Sequence, residues 1–346
     1  MRFDDLYIAG AVLHLEDRCS AEEALRDGLC DERTVARTGI SSVAVSAGSS
    51  APELAVGAAR AVLERTGTHP ADIDLLLHAT VQYQGHDLWA AASYIQRCAV
   101  GNRCPAIEIR QLSNGGMAAL DLASGYLSGS PGRTAALLTT GDVFGAPGFD
   151  RWRGDPGTVY GDAGTALVLG RGDGGFAQLR SLVTVSDADL EQMHRGRDPF
   201  SPVPFAVRRP IDLGLLQKAF VEDTGRSYSV ARITSGQDEA LKRALAEADC
   251  ALAEISWFVL PNFGRGRLGS AFLRRWDIPE ERTTWPWGRS VGHLGAGDQF
   301  AGLAFLGGSG LVRSGELGLV FGVGAGFTWS CAVVEFTGEN PGAAVP

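Results

Sequence analysis

The 346-residue chain is predicted to be an α/β protein made of two copies of one β-α-β unit. Three observations predict this. Apolar runs recur at a nearly fixed offset: Ala71-Asp-Ile-Asp-Leu-Leu-Leu-His78 matches Ala253-Glu-Ile-Ser-Trp-Phe-Val-Leu260, 182 residues later, and Ala135–Gly141 matches Leu317–Val323 at the same offset. The runs are strand-sized and continuously apolar, the pattern of strands buried on both faces. The 46 glycines have no period of three, which fits tight turns and close helix–strand contact rather than a fibrous repeat.

Bulk properties exclude several classes. A hydrophobic content of 45% suffices for two packed halves. The net charge of −9, with no basic run, argues against nucleic acid as a partner. No apolar run approaches the length of a membrane span, and Met1-Arg-Phe-Asp-Asp opens without a signal-type segment, so a cytoplasmic protein off the membrane is expected. The six cysteines form no C-x-x-C pair and have no histidine at ligand spacing, so a reduced, metal-free protein without a permanently bound cofactor is expected.

In chain order, Leu6 to Leu13 is a short apolar segment, and Ser20 to Leu29 a helix-like piece opened by the capping pattern Ser20-x-x-Glu23. Residues 51–67 read as a helix with Pro52 in its first turn. Ile73 to Ala79 is a buried strand, Trp89 to Cys98 a helix, and Ala106 to Ile109 a strand end. Thr134–Thr140 and Thr165–Leu169 are strands around a polar loop. Residues 171–235 are read as an irregular insertion broken by Pro199, Pro202, Pro204 and Pro210. Gln237–Cys250 is helical, Ile255–Leu260 a strand, Gly269–Trp276 and Gly297–Phe305 helices, Leu317–Gly322 and Trp329–Phe336 strands, and Gly338–Pro346 a frayed tail. The halves are 1–170 and 171–346.

The stretch after Ile109 carries the chemistry. It turns through Ser113-Asn-Gly-Gly into a helix with Met117, Leu120, Ala123 and Leu127 on one face. Ser113 reads either as a helix cap or as a nucleophile in the positive end of the helix dipole. Its counterpart 180 residues later is Gly292-His293-Leu-Gly-Ala-Gly-Asp298. If the halves are related by a pseudo-two-fold axis, Ser113 and His293 share a common centre. A serine hydroxyl needs such a base, and the base needs an orienting acceptor, which Asp298 can supply; Asp298 also reads as an ordinary first-turn acid. His194 lies in the irregular segment and could reach the site from a loop, but its reading as a surface residue is favoured. Gly322-Val-Gly-Ala325-Gly326 lies between two strands with no helix after it, so it is no dinucleotide fingerprint. It reads as a close-approach loop whose Ala325 N–H can join that of Ser113 in an oxyanion hole. The pocket lining is expected around Trp89, Trp152, Phe200 and Phe205.

Val35-Ala-Arg-Thr-Gly-Ile40, Gly157-Thr-Val-Tyr-Gly-Asp-Ala-Gly164 and Gly324-Ala-Gly-Phe-Thr-Trp329 resemble, in order, three motifs of the thiolase-fold condensing enzymes, specifically β-ketoacyl-acyl-carrier-protein synthase III. The resemblance covers nearly the whole chain. It implies the thiolase fold, five αβαβα layers from two pseudo-two-fold-related halves, and a homodimer that continues the sheets across its axis. It also aligns Ser113 with the family's catalytic cysteine, Asn262 with its histidine and His293 with its asparagine. This set is similar to that of the serine-dependent starter-unit enzymes, such as the daunorubicin priming ketosynthase, and of relatives that acylate natural-product hydroxyls. A thiol forms thiolate near neutral pH with modest help and a hydroxyl does not, so a serine there calls for a true base.

The resemblance implies acyl-CoA or acyl-phosphopantetheine as substrate and an acyl carrier protein or small-molecule acceptor as partner. Arg37 matches the family's CoA arginine, while Arg33 stands where a tryptophan is expected. Arg265, Arg267, Arg274 and Arg275 read equally as a solvated face or as a docking patch for phosphates and an acidic carrier. Three functions follow: an acyltransferase through acyl-Ser113, a decarboxylating starter-unit ketosynthase in polyketide or antibiotic biosynthesis, and a catalytically silent thiolase-fold partner.

Overall fold

The computed structural model describes residues 1–172 and 174–338. Its strands are β1 (Leu6–His14), β2 (Asp17–Ser20), β3 (Ser42–Val45), β4 (Ile73–Ala79), β5 (Ala106–Ile109), β6 (Ala135–Asp142), β7 (Ala163–Arg171), β8 (Ala177–Ser186), β9 (Ile255–Val259), β10 (Leu317–Gly324) and β11 (Thr328–Phe336). Nine of them hydrogen-bond in the order β5-β4-β6-β7-β1-β8-β11-β10-β9, and β2 and β3 form a separate ribbon.

The order is a near-palindrome about the β1–β8 junction. There the two strands pair only at Tyr7–Gln178 and Ile8–Ala177. On one side β4 and β6 run parallel, and β6–β7 and β7–β1 antiparallel. On the other β9 and β10 run parallel, and β10–β11 and β11–β8 antiparallel. The two halves are therefore copies of one unit.

Alternation along the strands builds the layers, because successive side chains leave opposite faces. Ala135 and Leu137 of β6 pack with the helix Ala51–Thr66, while Ala136 and Leu138 face the middle of the molecule. Cys331 and Val333 of β11 pack with the helix Arg226–Ala248, while Ala332 and Val334 face the middle. The middle layer holds the helices Gly115–Ser128 and Asp298–Gly308, through Met117, Leu120, Phe300 and Leu303. The result is five layers, αβαβα, in the thiolase arrangement.

Local signals set most of these elements. Ser20 and Glu23 form the expected capping box, with the Glu23 N–H donating to Ser20 Oγ and the Ser20 N–H to Glu23 Oε2. Helix Ala51–Thr66 has proline in its first turn and stops at Gly67, whose φ of +66° suits glycine.

Two expectations are corrected. Residues 171–235 are not an irregular insertion: they contain the ten-residue strand β8, the helix Leu213–Thr224 and the first turns of Arg226–Ala248. The truly irregular part is the proline-rich stretch from about Gly196 to Ile211. The segment expected as a helix from Trp89 begins at Ala91 and continues as a wider turn through Val100. The tail beyond Gly338 lies outside the described residues. No helix among the described residues is long and apolar enough to cross a membrane.

Candidate active site

The turn that carries Ser113 is compressed. Leu112 sits at φ +49°, a left-handed conformation that costs a branched residue energy and turns the chain sharply into the helix. Ser113 follows in a single 3₁₀ turn, half-buried, and the helix proper starts at Gly115. Gly116 allows the two helix mouths to meet, since a Cβ there would fall 2.6 Å from the Ala296 carbonyl oxygen. From the other half, a Cβ on Gly324 would fall 2.3 Å from the Gln111 carbonyl oxygen, so the loop after β10 also lies against the Ser113 turn.

His293 is held through its backbone. Its N–H donates to Val159 O and its carbonyl accepts from the Gly161 N–H, both at 2.9 Å, so the 157–164 motif serves as its mount. A Cβ on Gly161 would lie 2.1 Å from Val291 O, which excludes any other residue. The Tyr160 ring stands edge-on to the imidazole at 4.8 Å, and Phe263 lies at 5.8 Å. The Tyr160 hydroxyl donates to Asp155 Oδ2 at 3.2 Å.

Asp298 is the first residue of its helix and fully buried. Its Oδ2 accepts from His293 Nδ1 at 2.5 Å and from the Asn262 N–H at 2.8 Å, and its Oδ1 accepts from the Leu294 N–H at 2.7 Å. A carboxylate so placed fixes the proton on Nδ1 and leaves Nε2 as an acceptor. Ser113 Oγ lies 2.8 Å from that Nε2. Serine, imidazole and carboxylate thus form one hydrogen-bonded chain across the pseudo-two-fold centre.

Asn262, aligned with the family's histidine, is buried behind His293 and is not among the residues lining the cavity. Its amide donates to Gly292 O at 3.1 Å, and its backbone N–H to Asp298, so it braces the His293 loop from behind. Ala325 lines the same cavity as Ser113.

That cavity, about 520 Å³, opens beside Ser113. Its wall is mostly apolar, with Val81, Phe144, Phe149, Tyr160, Ile211 and Leu216, and residues 201–208 form its outer side. The irregular segment is therefore part of the site. Of the aromatics expected there only Phe205 lines it; Trp152 is core, Phe200 points to solvent, and Trp89 packs on His86 and Tyr94. His194 also lines the cavity, which corrects its reading as a surface residue. Burial lowers its imidazole to about 4. None of the six cysteines lines the cavity. Among the described residues no cluster of His, Cys, Asp and Glu could hold a metal ion.

The arginines separate into two groups. Arg267 is a half-buried clamp on the buried Asp155: Nη1 and Nη2 bind Asp155 Oδ2 and Oδ1 at 2.7 Å each, and Thr158 Oγ1 lies at 2.8 Å. Arg275 ties its helix to Gln237 and Asp238 at 2.6 and 2.7 Å. Neither guanidinium is available for a phosphate, which corrects their place in the docking patch. Arg33, Arg37, Arg265 and Arg274 are exposed, with Arg265 paired to Glu280 at 2.9 Å. The helices bearing Arg37 and Arg265 touch, a Cβ on Gly266 falling 3.3 Å from Arg37 O. Arg289, which sequence reasoning missed, is exposed beside them and donates to Gly39 O at 3.1 Å.

These features define a thiolase-fold protein whose helix mouths converge on a hydroxyl group beside an acyl-sized cavity. Solved structures agree on the fold. FabH, the 3-oxoacyl-(acyl carrier protein) synthase III of Pseudomonas aeruginosa PAO1, superposes with a TM-score of 0.77 at 20% identity, over 97% of this chain and 99% of that one. ChlB3, described as an acyltransferase, superposes with a TM-score of 0.93 at 33% identity, over 98% of this chain and 100% of that one. The family model for the C-terminal region of 3-oxoacyl-[acyl-carrier-protein] synthase III matches residues 245–336. The β-ketoacyl-[acyl-carrier-protein] synthase III of Thermosynechococcus vestitus is 30% identical over 312 residues, 88% of this chain and 90% of that protein. The chain belongs to the β-ketoacyl-acyl-carrier-protein synthase III family.

Proposed function

We propose that this protein is an acyltransferase that works through an ester on Ser113. The observation that carries the reading is the unbroken chain from Ser113 Oγ to His293 Nε2 at 2.8 Å and from His293 Nδ1 to Asp298 at 2.5 Å. In the first half-reaction Ser113 Oγ attacks the carbonyl of an acyl-CoA or acyl-phosphopantetheine thioester while His293 takes the hydroxyl proton. The tetrahedral oxyanion is received by the N–H groups of Ser113 and Ala325, then collapses. The carbon–sulfur bond breaks, and the thiolate recovers the proton from His293. In the second half-reaction an acceptor attacks the ester carbonyl as His293 takes its proton, the bond from the acyl carbon to Ser113 Oγ breaks, and His293 returns the proton to Ser113.

Two observations favour transfer over decarboxylative condensation. Asn262 is not among the residues lining the cavity and its amide donates to Gly292 O, which leaves a malonyl enolate there without the second side-chain donor the family offers. The similarity to ChlB3, an acyltransferase by description, covers the whole fold. We assign the donor to CoA or a carrier protein reaching the exposed Arg33, Arg37, Arg265 and Arg289, and the acceptor to a carrier protein or a natural product of a polyketide or antibiotic pathway in the cytoplasm. A homodimer through β5 fits its terminal place in the sheet and its exposed Ile107.

The test is intact mass spectrometry with a panel of acyl-CoAs. An acyl adduct on the wild type that is absent from Ser113→Ala is expected. No adduct from any thioester would remove this reading, and carbon dioxide released from malonyl thioesters would move it to condensation.

A further inference from the structure

One group in the cavity has no part in the chemistry above. His194 sits on the short helix Gln192–Arg195, and its backbone N–H is used locally, donating to Glu191 O at 3.3 Å. Neither ring nitrogen has a hydrogen-bond partner among the described residues, and the half-buried imidazole forms part of the cavity lining. Phe327 stands edge-on to the ring at 5.5 Å and 86°, which fixes its plane. A polar ring in the lining of a mostly apolar cavity, with no partner from the protein, calls for one from the ligand, because filling the cavity with hydrocarbon would displace water from the ring and leave it unpaired.

The chemistry of the partner follows from the state of the ring. With burial holding it near 4, the imidazole is neutral at pH 7, with one N–H donor and one lone pair. A hydroxyl matches both roles. A carboxylate would find no cation in the ring and would face the field of Asp155, and an ammonium would face that of Arg267. The size of the partner follows from the cavity. Its 520 Å³ lies within the range of about 300–1,000 Å³ that drug-sized ligands occupy, far beyond a two-carbon unit. Phe144, Phe149 and Tyr160, with ring centroids 4.7–5.8 Å apart and planes tilted 57–70° to one another, give it an aromatic wall.

We infer that the acyl group carried on Ser113 is a bulky one bearing a neutral hydroxyl, and that His194 is the residue that reads this hydroxyl. The inference rests on the acyl-Ser113 reading.

The experiment compares paired thioesters that differ by one hydroxyl, 3-hydroxyhexanoyl against hexanoyl and 3-hydroxybenzoyl against benzoyl. Acyl-serine formation is followed by intact mass in the wild type, His194→Phe and His194→Gln. In the wild type the hydroxylated member of at least one pair should acylate about 5- to 150-fold faster, the range expected when a buried polar group loses its partner. His194→Phe should bring that ratio to within about twofold of one, while His194→Gln, which keeps a donor and an acceptor, should preserve its direction. Equal rates within both pairs in the wild type would overturn the inference, as would an unchanged ratio in His194→Phe. If acylation ignores the hydroxyl and only transfer to an alcohol acceptor slows in His194→Phe, the ring reads the acceptor and the assignment to the acyl group falls. Failure to form any adduct would instead count against the acyl-enzyme itself, so the two failures are distinguishable.

Discussion

Replacing Asp298 by Asn tests whether the buried carboxylate sets the base. Its two oxygens accept three N–H groups, from His293 at 2.5 Å, Asn262 at 2.8 Å and Leu294 at 2.7 Å. An amide has one oxygen, so one of its edges must turn N–H against N–H. If the NH₂ faces His293, the imidazole proton moves to Nε2, points at Ser113, and the ring can no longer take the hydroxyl proton. If the NH₂ faces Leu294 instead, a buried donor is left unpaired at about 1–3 kcal/mol of stability. Each arrangement strands one backbone N–H, that of Asn262 in the first and of Leu294 in the second, but only the first gives the amide N–H an acceptor, and the same substitution in a serine-protease triad lowers kcat about 10⁴-fold. We therefore expect Asp298→Asn to slow single-turnover acylation by about 10³- to 10⁴-fold, about 4–5.5 kcal/mol at ~1.36 kcal/mol per decade. The assay is quenched-flow intact mass spectrometry with one good acyl-CoA, alongside a thermal melt to show that the variant is folded. Acylation within tenfold of the wild type would refute the role given to Asp298.

Gly116→Ala sets a Cβ 2.6 Å from Ala296 O, so the helix mouths must part; we expect acylation to fall by at least tenfold, checked by the same assay. Asp142 is buried at the end of β6, and burial raises its carboxyl from 3.8 to about 6 against donors from Thr80, Val81, Gln82 and Ala296. A raised folded-state carboxyl favours the fold below its unfolded value, and that contribution is lost as pH climbs through about 6, here about 3 kcal/mol. The unfolding free energy of wild type minus Asp142→Asn, from urea titrations, should thus fall by about that amount between pH 4 and 7; a pH-independent difference would contradict it. Arg267→Ala strands Asp155 as a buried unpaired carboxylate and should cost about 3–5 kcal/mol by denaturant unfolding. Arg37→Ala, on an exposed side chain, should leave stability within about 0.5 kcal/mol and raise KM for the thioester donor.

The strands were legible wherever both faces are apolar. In β4, β6 and β10 even the two-fold alternation is hidden under continuous hydrophobicity, and an apolar run of that length has few other uses. β8 escaped because Gln178, Arg180, Ser181 and Thr184 interrupt it; Ser181 is buried only because its hydroxyl donates to Ala244 O 63 residues away. The first turns of Arg226–Ala248 escaped for the same reason, being polar and largely exposed. Arginines were the least legible. Arg265 and Arg267 are two residues apart, yet only Arg267 finds a buried carboxylate, 112 residues distant, and spacing along the chain cannot encode that encounter. His194 sits among Glu191, Gln192 and Arg195, a polar setting that reads as surface until the proline-rich segment folds back over it.

The convergence of Ser113 and His293 was legible for a different reason, the repeat. Equivalent positions of two copies lie at equal distances from the axis that relates them, so a residue at one helix mouth near that axis must face its counterpart. Gly116 against Ala296 O shows how tightly the mouths meet. A thiol at this centre needs only the helix dipole and a hydrogen-bond donor opposite, and an amide there suffices. A hydroxyl needs a base whose tautomer is fixed from behind, and the next turn of the same mouth already presents backbone N–H groups that suit a carboxylate. Asp298 accepts one N–H from that turn, Leu294's, and one from Asn262 beyond β9, and its Oδ2 also accepts from His293. Serine, histidine and aspartate are therefore interdependent here. Histidine without Asp298 would lack a fixed tautomer, and Asp298 opposite an amide would have no imidazole to orient.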